Sequence, residues 1–236
     1  MAFEKRIGNY LLPPGIEIFE RGWLSANNIL LFSEEDVSLV DSGYCAHQQM
    51  TIDLVTNALA KYDLKALNKL VNTHLHSDHC GGNAVLSELF DCEIWIPEAE
   101  AIAVRDWNED LLSFQQLGQE CPRFTHHALL VPGEEILLGP YRWQILAAPG
   151  HDNHSIMLYQ EQHQILISAD ALWEEGFGVI FPELWGEGGF EEVAQTLELI
   201  EGLSVALVIP GHGKPFTDVR KSIETAKSRL DYLSSD

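Results

Sequence analysis

The sequence predicts a mixed α/β (α+β) protein in four layers, two β-sheets packed face to face with helices outside. Short strand-like runs recur along the chain. Some of these runs are joined as hairpins, and others are separated by segments with helical spacing. Hairpins together with strand–helix–strand units make mixed sheets, and each apolar sheet face must be buried against another layer.

The elements follow in order. "IEIFERGW" (16–23), "NILLF" (28–32) and "VSLVD" (37–41) are short runs enriched in β-branched or aromatic residues, which read as strands. "GYCAHQQMTIDLVTNALAKY" (43–62) has helical spacing, with Met50, Leu54, Val55 and Leu59 on one face. "NKLVNT" (68–73) is a strand ending at a histidine-rich stretch. "GGNAVLSELF" (81–90) is a helix entered through glycines, and "EIWI" (93–96) a strand. Residues 97–127 are helix and loop. Strands resume at 127–131, 134–138, 142–148, 155–160 and 164–170, the last two joined by a hairpin turning near Gln162. A helix at 190–203, the strand "VALVIP" (205–210) and an amphipathic helix at 217–233 complete the chain.

Composition bounds the function. The chain has 236 residues, 46% of them hydrophobic, which fits one large domain over 1–236 better than two small ones. No stretch reaches the roughly 20 apolar residues of a membrane span. No apolar run follows the Lys5–Arg6 pair, so no secretory signal is expected. Cys45, Cys80, Cys92 and Cys121 show no C-x-x-C spacing. Free thiols and a cytoplasmic location are the expectation. A formal net charge of −22 repels phosphate backbones and anionic membranes. The expected partner is a small-molecule substrate, with no nucleic acid and no membrane; composition says nothing of oligomeric state.

The chemistry concentrates in "THLHSDHCGG" (73–82), which holds His74, His76, Asp78 and His79. Three imidazoles and a carboxylate in six residues are a first-row metal ligand set by type. His74 and His76, two apart on an extended segment, point the same way. Asp78 and His79, on the turn into a helix, can address a different point, so one stretch could serve two metals. His151, Asp170 and His212 each lie just past a strand, where sheet sites are built. Alone, Asp170 could be a helix cap and His212 a turn residue; as a set they read as further ligands. His47, His126, His127 and His163 read as structural, and Cys80 as a small buried filler. In "PGHDNHSI" (149–156), His151 follows the Pro-Gly turn directly, whereas His154 reads as a hydrogen-bond partner of the site, a pocket-facing proton donor or a turn residue.

H-x-H-x-D-H, then Gly-His after a strand, then Asp, then "GHG" near the C-terminus resembles the metallo-β-lactamase superfamily, as does "LVDSG" (39–43). The match covers nearly the whole chain in the family's order. The resemblance implies the αββα sandwich, with His74, His76 and His151 on one metal, Asp78, His79 and His212 on a second, and Asp170 bridging. It implies Asp41 as a buried aspartate that orients site groups, and Asp78 as the group that orients the attacking hydroxide and shuttles its proton. Two divalent metals, Zn2+ first with Fe or Mn as alternatives, would share a bridging hydroxide that cleaves a small ester, lactone, thioester or amide.

Glyoxalase II-like thioesterases resemble this core but append a helical domain, which the short stretch after His212 is not expected to supply. Lactonases of the family carry Tyr where Trp173 stands. Trp173, Phe177, Phe181 and Trp185, in the aromatic and glycine-rich stretch after Asp170, are candidate pocket walls. The alternatives are an iron-dependent oxidoreductase resembling persulfide dioxygenases and a non-catalytic metal-stabilised binding module.

Overall fold

The computed structural model describes residues 5–22, 24–181 and 188–234. The chain divides into two compact units whose segments interleave in sequence. One comprises 15–131 and 137–142; the other takes the N-terminal segment to Pro14, 132–136 and 143 onward. A small antiparallel hairpin, β1 (Arg6–Ile7) and β2 (Tyr10–Leu11), opens the second of these and was not expected from sequence.

The first unit is built on a six-stranded sheet. β3 (Ile16–Phe19), β4 (Asn28–Phe32) and β5 (Val37–Val40) form an antiparallel meander. β6 (Lys69–Val71), β7 (Glu93–Pro97) and β8 (Ala128–Leu130) continue it in parallel. Parallel neighbours need crossovers, and the helices supply them: α1 (Gln48–Tyr62) before β6, α2 (Ser77–Cys80) and α3 (Asn83–Phe90) before β7, and α4 (Ala101–Asp106) before β8. The cross-strand row Leu30–Leu39–Leu70–Ile94 packs with Val55, Ala58 and Leu86 of the helices. Ile29, Val40 and Val71, of opposite parity, are also buried, so both faces of the central strands are covered, which explains their near-continuous apolar sequences.

The predicted elements stand, with local corrections. The first strand stops at Phe19, because Arg21 N–H turns aside to Asn27 Oδ1 at 2.9 Å. Met50, expected on the buried face of α1, is exposed; that face is Thr51, Val55 and Ala58. Thr51 can be buried because its hydroxyl donates to Ser42 O at 3.2 Å. The helix expected at 81–90, entered through glycines, is α3, and the short α2 precedes it on the other side of Gly81–Gly82. A Cβ on Gly81 would lie 2.5 Å from Ser77 O and Cys45 N, and one on Gly82 would lie 2.6 Å from Ser42 O. Glycine is required there because backbone meets backbone.

The second unit carries most of a five-stranded sheet in the order β13-β12-β11-β10-β9, from β9 (Glu135–Leu138), β10 (Tyr141–Ala147), β11 (Ile156–Gln160), β12 (Ile165–Ala169) and β13 (Leu207–Pro210). β10–β11 and β11–β12 are antiparallel, and β12–β13 parallel. The intervening helix is α5 (Gly188–Gly202), and α6 (Val219–Leu233) follows the sheet. Met157, Tyr159, Leu166 and Val208 pack with Val193, Leu197 and Ile200 of α5 and Ile223, Ala226 and Leu230 of α6. Among the described residues no helix is long and apolar enough to cross a membrane.

Candidate metal centre

In the first unit the site begins with a bend. Asp41, the residue after β5, sits at φ +58°, a left-handed conformation that Asp tolerates better than most residues. The bend turns its carboxylate towards the segment after β6. Asp41 Oδ1 accepts Thr73 N–H at 2.9 Å, which removes Thr73 from the ladder and ends the strand at Val71. Asp41 Oδ2 accepts the Thr73 hydroxyl at 2.8 Å and lies 2.8 Å from His79 Nδ1. The chain then runs extended through His76 (φ −62°, ψ 145°) into α2, which carries Asp78 and His79.

His74, His76 and His79 are all buried. Ring centroids are 4.8 Å apart for His74–His76 and 4.0 Å for His74–His79. In neutral imidazole one nitrogen donates and the other keeps a lone pair. His79 Nδ1 faces a carboxylate and therefore carries the proton. Thr73 Oγ1 has given its own proton to Asp41, so it accepts from His74 Nδ1 at 3.2 Å. Both rings thus hold their lone pairs on Nε2, the arrangement an Asp or carbonyl behind a histidine ligand enforces. Asp78 is the most exposed of the four ligand-type residues, with its Oδ2 3.8 Å from His79 Nε2.

The second unit repeats this logic with different partners. His151, after β10, donates from Nδ1 to Val179 O at 2.5 Å, which leaves the lone pair on Nε2. Asp170 follows Ala169, itself at φ +48° where β12 shifts register against β13. Asp170 Oδ2 lies 3.3 Å from His151 Nε2 and 3.8 Å from His212 Nε2. Its Oδ1 accepts the Trp173 indole N–H at 3.2 Å. The Trp173 and His212 rings meet edge to face, 5.4 Å between centroids.

Gly178 makes this arrangement of His151 and Asp170 possible. A Cβ there would lie 2.6 Å from His151 Nδ1 and 2.9 Å from Asp170 Cβ. Gly178→Ala is expected to displace both side chains and lower stability by about 1–3 kcal/mol, the usual cost of overpacking. Thermal unfolding of the variant checks it.

The aromatic expectations divide. Trp173 stands beside Asp170 and His212, and the Phe181 ring is 5.8 Å from that of His151. Phe177 is corrected from pocket wall to core: it is 1% exposed, with Arg229 of α6 over its ring at 5.0 Å and donating to its carbonyl at 3.1 Å. Trp185 lies outside the described residues. Asp152 closes the turn after His151 by accepting His154 N–H on Oδ1 at 2.7 Å. That turn fixes the backbone of His154. Sequence reasoning missed Thr73, Gly178 and the Val179 carbonyl; the carbonyl leaves no side-chain signal to read.

The donor set fits a metal. His74 and His79 in the first unit and His151 in the second are buried imidazoles whose Nδ1–H is held by an acceptor, which puts the ligating lone pair on Nε2, with carboxylate oxygen near His79 and His151. Imidazole with carboxylate suits Zn2+, Fe and Mn. Cys80 does not belong to the set: its thiol donates to Leu75 O at 3.3 Å.

The comparisons agree with this chemistry. Residues 21–212 match the metallo-β-lactamase superfamily. A hydroxyacylglutathione hydrolase of Bdellovibrio bacteriovorus is 30% identical over 175 residues, covering 73% of this chain and 54% of that protein, so the chain spans about half its length. A probable metallo-hydrolase of Methanocaldococcus jannaschii is 24% identical over 204 residues, covering 80% of this chain and 88% of that one. A crystal structure of a metallo-β-lactamase family protein from Thermus thermophilus shares the fold, with TM-score 0.74 and 22% identity over 93% of this chain and 80% of that chain. The metallo-β-lactamase fold expected from the order of the motifs is therefore the fold found, and the chain belongs to the metallo-β-lactamase superfamily of metallo-hydrolases.

Proposed function

We propose that this protein is a dinuclear metal-dependent hydrolase of a small cytoplasmic ester, lactone, thioester or amide, 1–236 acting as one catalytic domain. The reading assigns His74, His76 and His151 to one metal, Asp78, His79 and His212 to the other, and Asp170 to both, with Zn2+ the favoured ion. The observation that carries it is the Asp41 carboxylate, which holds Thr73 and the Nδ1 of His79 and so dictates which nitrogen ligates. A buried aspartate spent on orienting a histidine is the outer support that metal ligands require.

Divalent metal held by these residues would supply a Lewis acid and would lower the pKa of a water from 15.7 towards about 7. The chain's own residues do the rest. Asp78, partly exposed, orients the attacking water, accepts its proton and returns it to the leaving group. Asp41 and the Val179 carbonyl hold their histidines in one tautomer. The Trp173 indole N–H holds one oxygen of Asp170 and leaves the other towards His151 and His212. The Trp173 and Phe181 rings offer an apolar wall for an acyl group. The hydroxyacylglutathione hydrolase likeness favours a thioester within this range.

The test is a panel of thioesters, esters, lactones, amides, phosphodiesters and β-lactams offered to zinc-loaded protein. Turnover of a thioester or ester, lost with chelator and restored by zinc, is expected. One equivalent of iron with oxygen consumption on thiols would replace this reading with the oxidoreductase. Metal-dependent stability with no turnover would leave a binding module.

A further inference from the structure

Three of the four cysteines, distant in sequence, meet in the first unit beside α2, the helix that carries Asp78 and His79. Cys80 ends α2 and is fully buried. Cys121 lies in the connection between α4 and β8, and its Sγ is 3.6 Å from that of Cys80. Cys121 and Cys45, both half-buried, line a cavity of about 390 Å³ together with Phe114 and Glu120. Cys45 is turned to another partner, donating to Glu120 O at 3.3 Å. Cys92 stands apart, with its thiol on Leu86 O at 3.8 Å.

Two thiols in contact, one facing a cavity and one sealed behind it, are the arrangement of an oxidisable sulfur and its resolving partner. We propose that Cys80 and Cys121 form a thiol-oxidation site that takes hydrogen peroxide and closes to a disulfide. Cys121 sulfur attacks one peroxide oxygen; the O–O bond breaks, giving a sulfenic acid and one water. Cys80 sulfur then attacks Cys121 sulfur. The S–O bond breaks, and the departing hydroxide takes the Cys80 proton to leave as a second water. Two thiols lose two electrons, and one peroxide becomes two waters.

The bond would tie the loop around Cys121 to the last residue of α2. That loop already touches the helix, since Ser77 N–H donates to Gln119 Oε1 at 2.9 Å. The proposal rests on thiol geometry alone and stands or falls separately from the hydrolase reading.

The experiment treats purified full-length protein with hydrogen peroxide, alkylates the remaining thiols under denaturing conditions and maps the peptides by mass. The expected result is a fall from four free thiols to two. A Cys80–Cys121 peptide pair lighter by two hydrogen atoms is expected with it, reversed by dithiothreitol. Cys45→Ser should form the same link, and Cys121→Ser should leave Cys80 reduced. A Cys45–Cys121 link, over-oxidation of Cys121 without a link, or four surviving thiols would each overturn the proposal.

Discussion

His76→Ala is expected to lose bound metal and turnover together. His76 is 3% exposed and sits at the extended residue that leads into α2, beside His74. Removing a hydrogen-bond partner behind a ligand costs about 10–100-fold in metal affinity or activity. Removing a ligand itself should exceed the upper end of that range. Metal content after dialysis and turnover on the best substrate should therefore fall in parallel. The fold should survive, at a cost of about 0.5–3 kcal/mol as for most single substitutions, because the neighbouring hydrogen bonds run through Asp41 and Thr73. A variant that keeps both metals would remove His76 from the ligand set.

Asp78→Asn should behave differently. The amide keeps the shape of the side chain but cannot take a proton from an attacking water. Positioned acid–base groups contribute about 10²–10⁴-fold, and the turnover number should drop by that factor. Stability should move far less than turnover, since the amide preserves the side chain's shape and the Asp78 side chain is partly exposed. Denaturant midpoints and kinetics on the same preparation separate the two effects. Wild-type turnover in Asp78→Asn would refute the proton-transfer role.

The ligand-type residues were legible because the chemistry of a metal site is written in residue types at strand ends. His74, His76, Asp78 and His79 crowd six positions, and His151, Asp170 and His212 each follow a strand. Strand alternation and helical spacing gave the elements to within a few residues, because burial of one face imposes those periods. The failures have local causes. Met50 looked like a core residue of α1, yet a threonine with a satisfied hydroxyl took the buried face. Phe177 looked like a pocket wall and is core, because Arg229, 52 positions on, covers its ring and binds its carbonyl.

The family, the donor types and their order along the chain could all be read before folding was considered, since they depend on side-chain chemistry and short-range spacing. Which nitrogen each histidine offers could not. His79 and His74 are set through Asp41 and Thr73, and His151 is set by the carbonyl of Val179. Folding likewise dictates that Gly178 must lack a side chain and that Cys80 meets Cys121. Hydrogen bonds and steric contacts between residues tens of positions apart exist only once the chain has folded, and no local pattern encodes them.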